Sequence, residues 1–438
     1  MVIKMKSLWY DNLEAPKFDS VKGDIKTDVL IIGGGLAGLL CAYKLHKAGV
    51  EYTLVEAGRI CCGVTQNTTA KITAQHGLVY DDIIKKFGKT GAKLYLDANL
   101  DAVEQYRQLC QNIDCDFEQK DSFVYSLTGD RDIYNEFSAL QELGYNPCYS
   151  RELPLPLSVR GAVGFKNQAQ FHPLKFAYAI AKGLNICENS KVTALAKNTA
   201  LTEKGKITAE KIIVATHFPI MNKHGLYFLK MHQERSYVLA LEGADRVDGM
   251  YRDAEDKGFS LRTHGGLLLL GGGGHRTGEK GGGWDELKAF SDKFYPNASI
   301  KYKWATQDCV TLDGLPYIGR YSGQTENIYA VTGFNKWGMT NSMLAADMLV
   351  AAVLDKKHPC SELLSPSRSI MHPSLLVNSA KAVANILRPT APRCTHMGCA
   401  LKYNSAEHTW DCACHGSRFD ADGKVIDNPA TDDLKKKP

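Results

Sequence analysis

Several features that would define a broad protein class are missing from this chain. In 438 residues no apolar run reaches the roughly 18 to 20 needed to cross a bilayer. The opening MVIKMKSLWYDNLEAPKF has no apolar h-region, so no membrane span and no secretory leader is expected, and the reading is a cytoplasmic protein. Charge of one sign is scarce too: the net value is +5 with the basic residues dispersed, which argues against nucleic acid as a partner. There is no internal repeat. The glycine-rich run GGGGHRTGEKGGG at 271–283 lacks a Walker A pattern, because Gly278 is followed by Glu279 rather than by Lys and Ser or Thr. It reads as a flexible loop over a site. What remains is the composition of an ordinary globular protein, 44% hydrophobic and 23% charged, long enough for two or three domains.

The richest stretch is 28–56, DVLIIGGGLAGLLCAYKLHKAGVEYTLVE. A buried strand runs into Gly33, Gly35 and Gly38 at G-x-G-x-x-G spacing. A helix with apolar Leu39, Leu40, Tyr43 and Leu45 follows, then a second strand, Tyr52–Val55, ending on Glu56. Gly33 permits the tight turn, Gly35 lets a pyrophosphate approach the positive end of the helix, and Gly38 allows helix and strand to pack closely. Glu56, 18 residues after Gly38, is placed to accept hydrogen bonds from a ribose. This βαβ unit predicts dinucleotide binding and leaves FAD and NAD both open.

Beyond it, 57–77 is too long for an ordinary βα connection and contains Thr68-Thr69-Ala70-Lys71 and Gln75-His76-Gly77, which suits a ligand-lining segment. Helical spacing covers 81–113, with Gly88 and Gly91 between helices, and recurs at 134–143 and 173–184. Residues 123–126 suit a strand, as do 186–188 and 191–193. Residues 207–210 and 211–214 read as a hairpin and a buried strand, 234–241 and 267–270 as antiparallel strands, and 327–332 as a last core strand before a long apolar helix at 338–354. The order predicts an α/β domain with a parallel sheet, interleaved with an α+β domain.

With these elements in place, the first 355 residues resemble the FAD-dependent oxidoreductases of the D-amino-acid oxidase, glycine oxidase and sarcosine oxidase type. The resemblance rests on the glycine motif with Glu56, the strand leading to Ala215 and Thr216, the segment TLDGLPYIG at 311–319, and the strand-loop-helix at 327–340. It implies FAD, held by Gly33, Gly35, Gly38, Glu56, Thr69, Ala70, Lys71, Val192 (against adenine), Ala215, Gly338, Met339 and Thr340. The helix starting at Gly338 would point its positive end at the flavin pyrimidine, where reduced flavin carries negative charge. A second dinucleotide fingerprint is absent, so a nicotinamide donor is not expected. In such enzymes an arginine often pairs with a substrate carboxylate; Arg235, Arg252, Arg262 and Arg276 are candidates. His76, His275 and Lys336, in irregular segments, are candidates to lie over the flavin.

Thirteen cysteines divide into nine scattered between Cys41 and Cys360, expected to be ordinary thiols, and four between Cys394 and Cys414. The latter read Cys394-Thr-His396-Met-Gly-Cys399, twelve residues, then Cys412-Ala-Cys414-His415-Gly-Ser417. Two Cys and two His at these spacings suit tetrahedral zinc, and they closely resemble the Rieske [2Fe–2S] motif. The resemblance implies Cys394, Cys412, His396 and His415 as ligands, Cys399 and Cys414 as a loop-locking disulfide that must be shielded in a reducing compartment, and Ser417 Oγ as a hydrogen-bond donor to a sulfur. Where high-potential members carry a tyrosine, this chain has Phe419, which implies a lower potential. Only residues 389–393 separate the motif from an expected helix at 375–387, so the usual base subdomain is shortened or missing. The size, about 50 residues, is marginal for folding alone.

The expected organisation is therefore an oxidoreductase unit at 1–360, with nucleotide-binding parts near 25–80, 170–220 and 305–355 and cap parts near 81–169 and 221–304. A helical linker at 361–388 and a small β-rich cluster domain at 389–438 follow. The expected function is a dehydrogenase that oxidises a small amine or amino acid and sends electrons from flavin through the cluster to an external carrier. An oxygen-using oxidase with an auxiliary cluster, and an electron-transfer or redox-sensing flavoprotein, stay open beside it.

Overall fold

The structure is a computed structural model that describes residues 3–221, 224–255, 257–369, 375, 385–388 and 392–435. Its first strand, Ile25–Ile32, turns Val29, Leu30, Ile31 and Ile32 wholly inward, as a strand covered on both faces must. It pairs in parallel with Tyr52–Val55 on one side and Gly205–Val214 on the other. Ile186–Cys187 and Ile328–Thr332 extend the parallel sheet, and Tyr317–Arg320 adds an antiparallel edge. The helices Leu36–Lys47 and Gly338–Val353 pack on one another and bury Leu39, Leu40, Leu45, Met343, Leu344 and Leu349.

The second sheet has nine strands. Its spatial order is Ser299–Thr311, Met231–Glu242, Leu267–Arg276, Ser260–His264, Met250–Asp253, Glu118–Ser126, Gly161–Gln170 and Lys71–Ile72, with Cys148–Ser150 also on Gly161–Gln170. The chain leaves the first sheet for the second and returns more than once, giving the expected interleaving of α/β and α+β parts. A third, four-stranded antiparallel sheet is formed by Leu401–Asn404, Thr409–Cys412, Arg418–Phe419 and Val425–Asp427. Among the described residues no helix is long and apolar enough to cross a membrane.

Three local expectations are corrected. Residues 207–214 are one strand, Gly205–Val214, whose hairpin partner is Thr199–Thr202. Gly91 lies inside the helix Tyr80–Cys110, which is broken by Gly88 at φ 72°. The glycine run is not a loop at its start: 271–276 continues the strand Leu267–Arg276. A Cβ on Gly271 would lie 2.7 Å from Ser260 Oγ and one on Gly272 2.7 Å from the Phe259 ring, so neighbouring chains demand glycine there. The expected helix at 375–387 falls mostly outside the described residues; 375 and 385–387 are helical. Residues 361–369 pack onto the oxidoreductase part, through fully buried Leu364 and the Arg368–Asp313 ion pair at 2.6 Å.

Candidate functional site

The strand-to-helix turn after Ile32 is closed by its glycines: a Cβ on Gly33 would strike the Ala215 carbonyl and one on Gly38 the Gly33 carbonyl. Gly35, at the helix N-cap, instead faces open space, with Thr65 Oγ1 3.6 Å from where its Cβ would be. This turn opens into a cavity of about 740 Å³. Gly33, Gly35, Leu36 and Ala37 line it at one helix end, and Gly338, Met339 and Ser342 at another. Neither helix has an acidic residue in its first turn, so two positive helix ends converge on one space.

The expected cofactor residues fall around this space. Gly33, Gly35, Glu56, Thr69, Lys71, Val192, Ala215, Gly338 and Met339 line it; Gly38, Ala70 and Thr340 support it from behind. Glu56 accepts from the N–H groups of Gly34 at 2.7 Å and Gly58 at 2.9 Å, which fixes its carboxylate at the cavity wall. Ala70 is held in a left-handed conformation, φ 53°. Its carbonyl and that of Thr69 accept from buried Arg262 Nη1 at 2.7 and 2.6 Å. Glu188, also buried, receives the Ile60 N–H at 2.8 Å and pairs with Arg59 at 2.6 Å. Sequence reasoning missed these supports, since nothing local marks them.

The four expected catalytic residues separate. Lys336 lines the cavity, carried by a loop in which it and Asn335 both have positive φ, 72° and 51°. Its ammonium meets Glu234 at 2.7 Å. Burial works to raise the Glu234 carboxyl, but His232 and Lys336 hold it well below its usual range. His76, Arg235 and His275 are not among the lining residues. His76 is buried under Trp337, its ring centroid 5.2 Å away, and bonds Tyr95 Oη at 2.7 Å and Thr340 Oγ1 at 2.9 Å. Burial lowers its pKa to about 3, so it braces the second helix as a neutral ring. His275 bonds Tyr237 Oη at 3.0 Å. Arg235 makes a buried bidentate pair with Glu407 of the third sheet's segment. Of the arginine candidates Arg252 does line the cavity, with Lys71 and Ser260, over the Trp337 ring at 5.8 Å. Burial, with Arg252 and Arg262 nearby, pushes the Lys71 ammonium well below its usual pKa.

At the other site Cys394, Cys412 and His415 are buried, and the rings of His396 and His415 meet edge to face with centroids 5.0 Å apart. A hydrogen bond from Cys412, opposed by burial and aided by Ser417 and the N–H groups of His396 and Met397, holds the Cys394 thiol below its usual range. Burial lowers His396 to about 4 and, with His396 and Arg276, His415 to about 3. Neutral imidazoles beside a thiolate are the donor set of a mixed nitrogen and sulfur metal centre. His415 Nδ1 is buried with no hydrogen-bond partner among the described residues, as an atom awaiting a metal would be. Cys399 and Cys414 form the disulfide, and both are shielded from solvent.

The two sites share a seam. Gln233 Nε2 donates to the carbonyls of His415 at 2.9 Å and Asn428 at 2.8 Å, and Gln307 Nε2 to Gly416 at 2.9 Å. Arg276 Nη2 donates to the Cys414 carbonyl at 3.1 Å. A Cβ on Gly416 would lie 2.5 Å from Gln233 Cβ, so the segments touch backbone to side chain. Residues of 425–433, among them Asp427, Asn428 and Thr431, line the same cavity as Gly33.

Residues 28–352 match the model of the FAD dependent oxidoreductase family, DAO, and residues 367–438 that of the Rieske [2Fe-2S] domain. The chain is 33% identical, over 98% of its length and 97% of the relative's, to YhfW of Bacillus subtilis, named a Rieske 2Fe-2S iron-sulfur protein. It is 26% identical to the gamma-glutamylputrescine oxidoreductase of Escherichia coli, over 77% of this chain and 86% of that one. Glycine oxidase from Geobacillus kaustophilus superposes with a TM-score of 0.67 at 18% identity, covering 79% of this chain and 99% of that one. With its glycine turn, its paired helix ends and its buried Cys and His set, the chain belongs to the FAD-dependent oxidoreductase family and carries a C-terminal Rieske domain that takes a [2Fe–2S] cluster.

Proposed function

We propose that this protein is a dehydrogenase that oxidises a small amine or amino acid, passing electrons from flavin to the cluster and then to an external carrier. The observation that carries the reading is one cavity walled by the glycine turn, by two helix N-termini, by Lys71, Arg252 and Lys336, and by residues of the cluster segment. The bound flavin supplies two-electron oxidation of a substrate C–H bond, and the cluster one-electron transfer. Gly33, Gly35, Glu56, Val192 and Ala215 would hold the nucleotide part of FAD. Thr69, Lys71, Gly338 and Met339, with Ala70 and Thr340 behind them, would hold the flavin. Cys394, Cys412, His396 and His415 would hold the cluster. Arg252 is the best placed of the arginine candidates to orient a carboxylate, since it lines the cavity and arginine presents two parallel donors; it lies over the Trp337 ring. The relatives named for glycine and for gamma-glutamylputrescine support an amine-bearing substrate. The proposed division is 1–360 for the oxidoreductase unit and 389–438 for the cluster domain.

The test is an anaerobic panel of small amines and amino acids, read as bleaching of the flavin absorbance. Bleaching by a member of the panel, with little peroxide formed when air is admitted alongside a one-electron dye, is the expected result. Stoichiometric peroxide at the turnover rate would make the protein an oxidase. No bleaching by any member would leave the electron-transfer reading.

A further inference from the structure

The seam places the end of one strand between the two cofactor sites. Strand Gly205–Val214 is followed by Ala215, Thr216 and His217, all lining the cavity. The next residue, Phe218, is 1% exposed, and its ring centroid lies 6.4 Å from that of the cluster ligand His396. The other ligand, His415, meets Phe228 at 5.8 Å. Both imidazoles thus face phenylalanines of the oxidoreductase part. The connecting backbone is pinned from the cluster side: Asn428 Nδ2 donates to the Thr216 carbonyl at 2.6 Å and to the Phe218 carbonyl at 2.9 Å. From the oxidoreductase side, Thr332 Oγ1 donates to the His217 carbonyl.

We infer that residues 216–218 are the route by which single electrons cross from the flavin cavity to the cluster, entering at its imidazole edge, with Phe218 as the contact and Asn428 as the positioning residue. The inference rests on the relay proposed above. Electron tunnelling decays least along bonded and closely packed atoms and steeply across gaps, and here two consecutive residues span from cavity wall to ligand ring inside a packed interior. With both groups bound, each crossing would remove one electron from the reduced flavin and convert one ferric iron to ferrous; two would discharge the flavin, whose protons would leave into the cavity, with a one-electron carrier outside the chain re-oxidising the cluster between them.

The experiment uses the holoprotein with both cofactors. A light flash reduces the bound flavin anaerobically, and the cluster absorbance is followed in time, in the parent, in Phe218→Leu and in Phe218→Tyr. The expected result is a flavin-to-cluster step slowed severalfold in Phe218→Leu and close to the parent in the ring-retaining Phe218→Tyr, with the same cluster EPR spectrum in all three after dithionite. An unchanged step in Phe218→Leu, an equally slow step in both variants, or an altered EPR spectrum in Phe218→Leu would each overturn the route. A parent whose reduced flavin never bleaches the cluster would instead refute the relay itself, and the route with it.

Discussion

The oxidoreductase part and the cluster segment are held together by different physics. The first buries a continuous apolar core running from Leu39 and Leu40 through Tyr95, Phe165 and Phe176 to Leu349, enough area for hydrophobic burial to dominate. Among the described residues the second has a core cluster of Cys394, Cys399, Leu401, Cys412, Cys414, Phe419 and Ala430, and four of those seven are the cysteines of the cluster and the disulfide. What replaces apolar area there is a metal centre, a disulfide and a charge network around the buried Arg418. Arg418 meets Glu407, Asp411 and Asp427 at 2.9, 3.1 and 3.0 Å, and Glu407 reaches across to Arg235. A small domain that cannot pack itself is stapled.

The largest effect should come from breaking the metal staple. Structural metal sites carry on the order of 10 kcal/mol of folding free energy. Cys412→Ser should therefore abolish the [2Fe–2S] EPR signal and expose residues 392–435 to protease, while the oxidoreductase core still melts cooperatively. Protection of 392–435 without the cluster would erase the contrast. Next comes the seam: Arg235→Ala removes one partner of a buried pair, a change worth about 3 kcal/mol. Because Glu407 keeps Arg418, the loss should appear as faster amide hydrogen exchange in Thr409–Cys412 with little change in Leu36–Lys47. Equal loosening of both would mean the two parts form one cooperative unit.

A smaller, pH-dependent effect is carried by His76 in the large core. His76 is held neutral, with a folded pKa of about 3 against an ordinary 6.5. Its contribution is therefore complete above pH 6.5 and is lost as pH falls toward 3, at about 1.4 kcal/mol per pH unit. Urea midpoints at pH 7 and pH 5 should diverge in the parent and lie closer together in His76→Gln, with buried His172 and His264 keeping part of the difference; parallel behaviour of the two proteins would remove His76 from the account. The smallest change tests the cluster's tuning. Phe419 is fully buried in the cluster segment's core. Phe419→Tyr, by adding a hydroxyl, should raise the midpoint potential in an EPR titration, by about 60 mV for each tenfold of added stabilisation of the reduced form. A fall would contradict the hydrogen-bond argument.

The same contrast governs what could be read from residues alone. Both cofactor motifs were legible because their chemistry is local: Gly33, Gly35 and Gly38 serve one turn, and Cys394 to His396 and Cys412 to His415 serve two adjoining loops. The helix at Gly338 was legible through its apolar run. Arg235 was not, because its partner Glu407 lies 172 residues away, and an arginine in a strand looks the same whether it faces a cavity or another domain. His275 and His76 were misleading for a related reason: the glycine-rich flank of His275 hid a strand, Leu267–Arg276, and irregular sequence around His76 does not say which way its side chain turns. The glycines at 271–274 suggested looseness, whereas Gly271 and Gly272 answer pressure from Ser260 and Phe259 and Gly273 from the Gly283 carbonyl, which no neighbouring residue in the sequence records.

Asp427, Asn428, Ala430 and Thr431 wall the cavity that begins at Gly33, and this sets an order of assembly. A chain made from its N-terminus presents the glycine turn to the cell long before these residues exist. The cavity has its full enclosure only after the cysteines of 394–414 have been synthesised and the segment around them has docked. Enclosure of the cavity therefore comes after every residue of the cysteine and histidine set has been made.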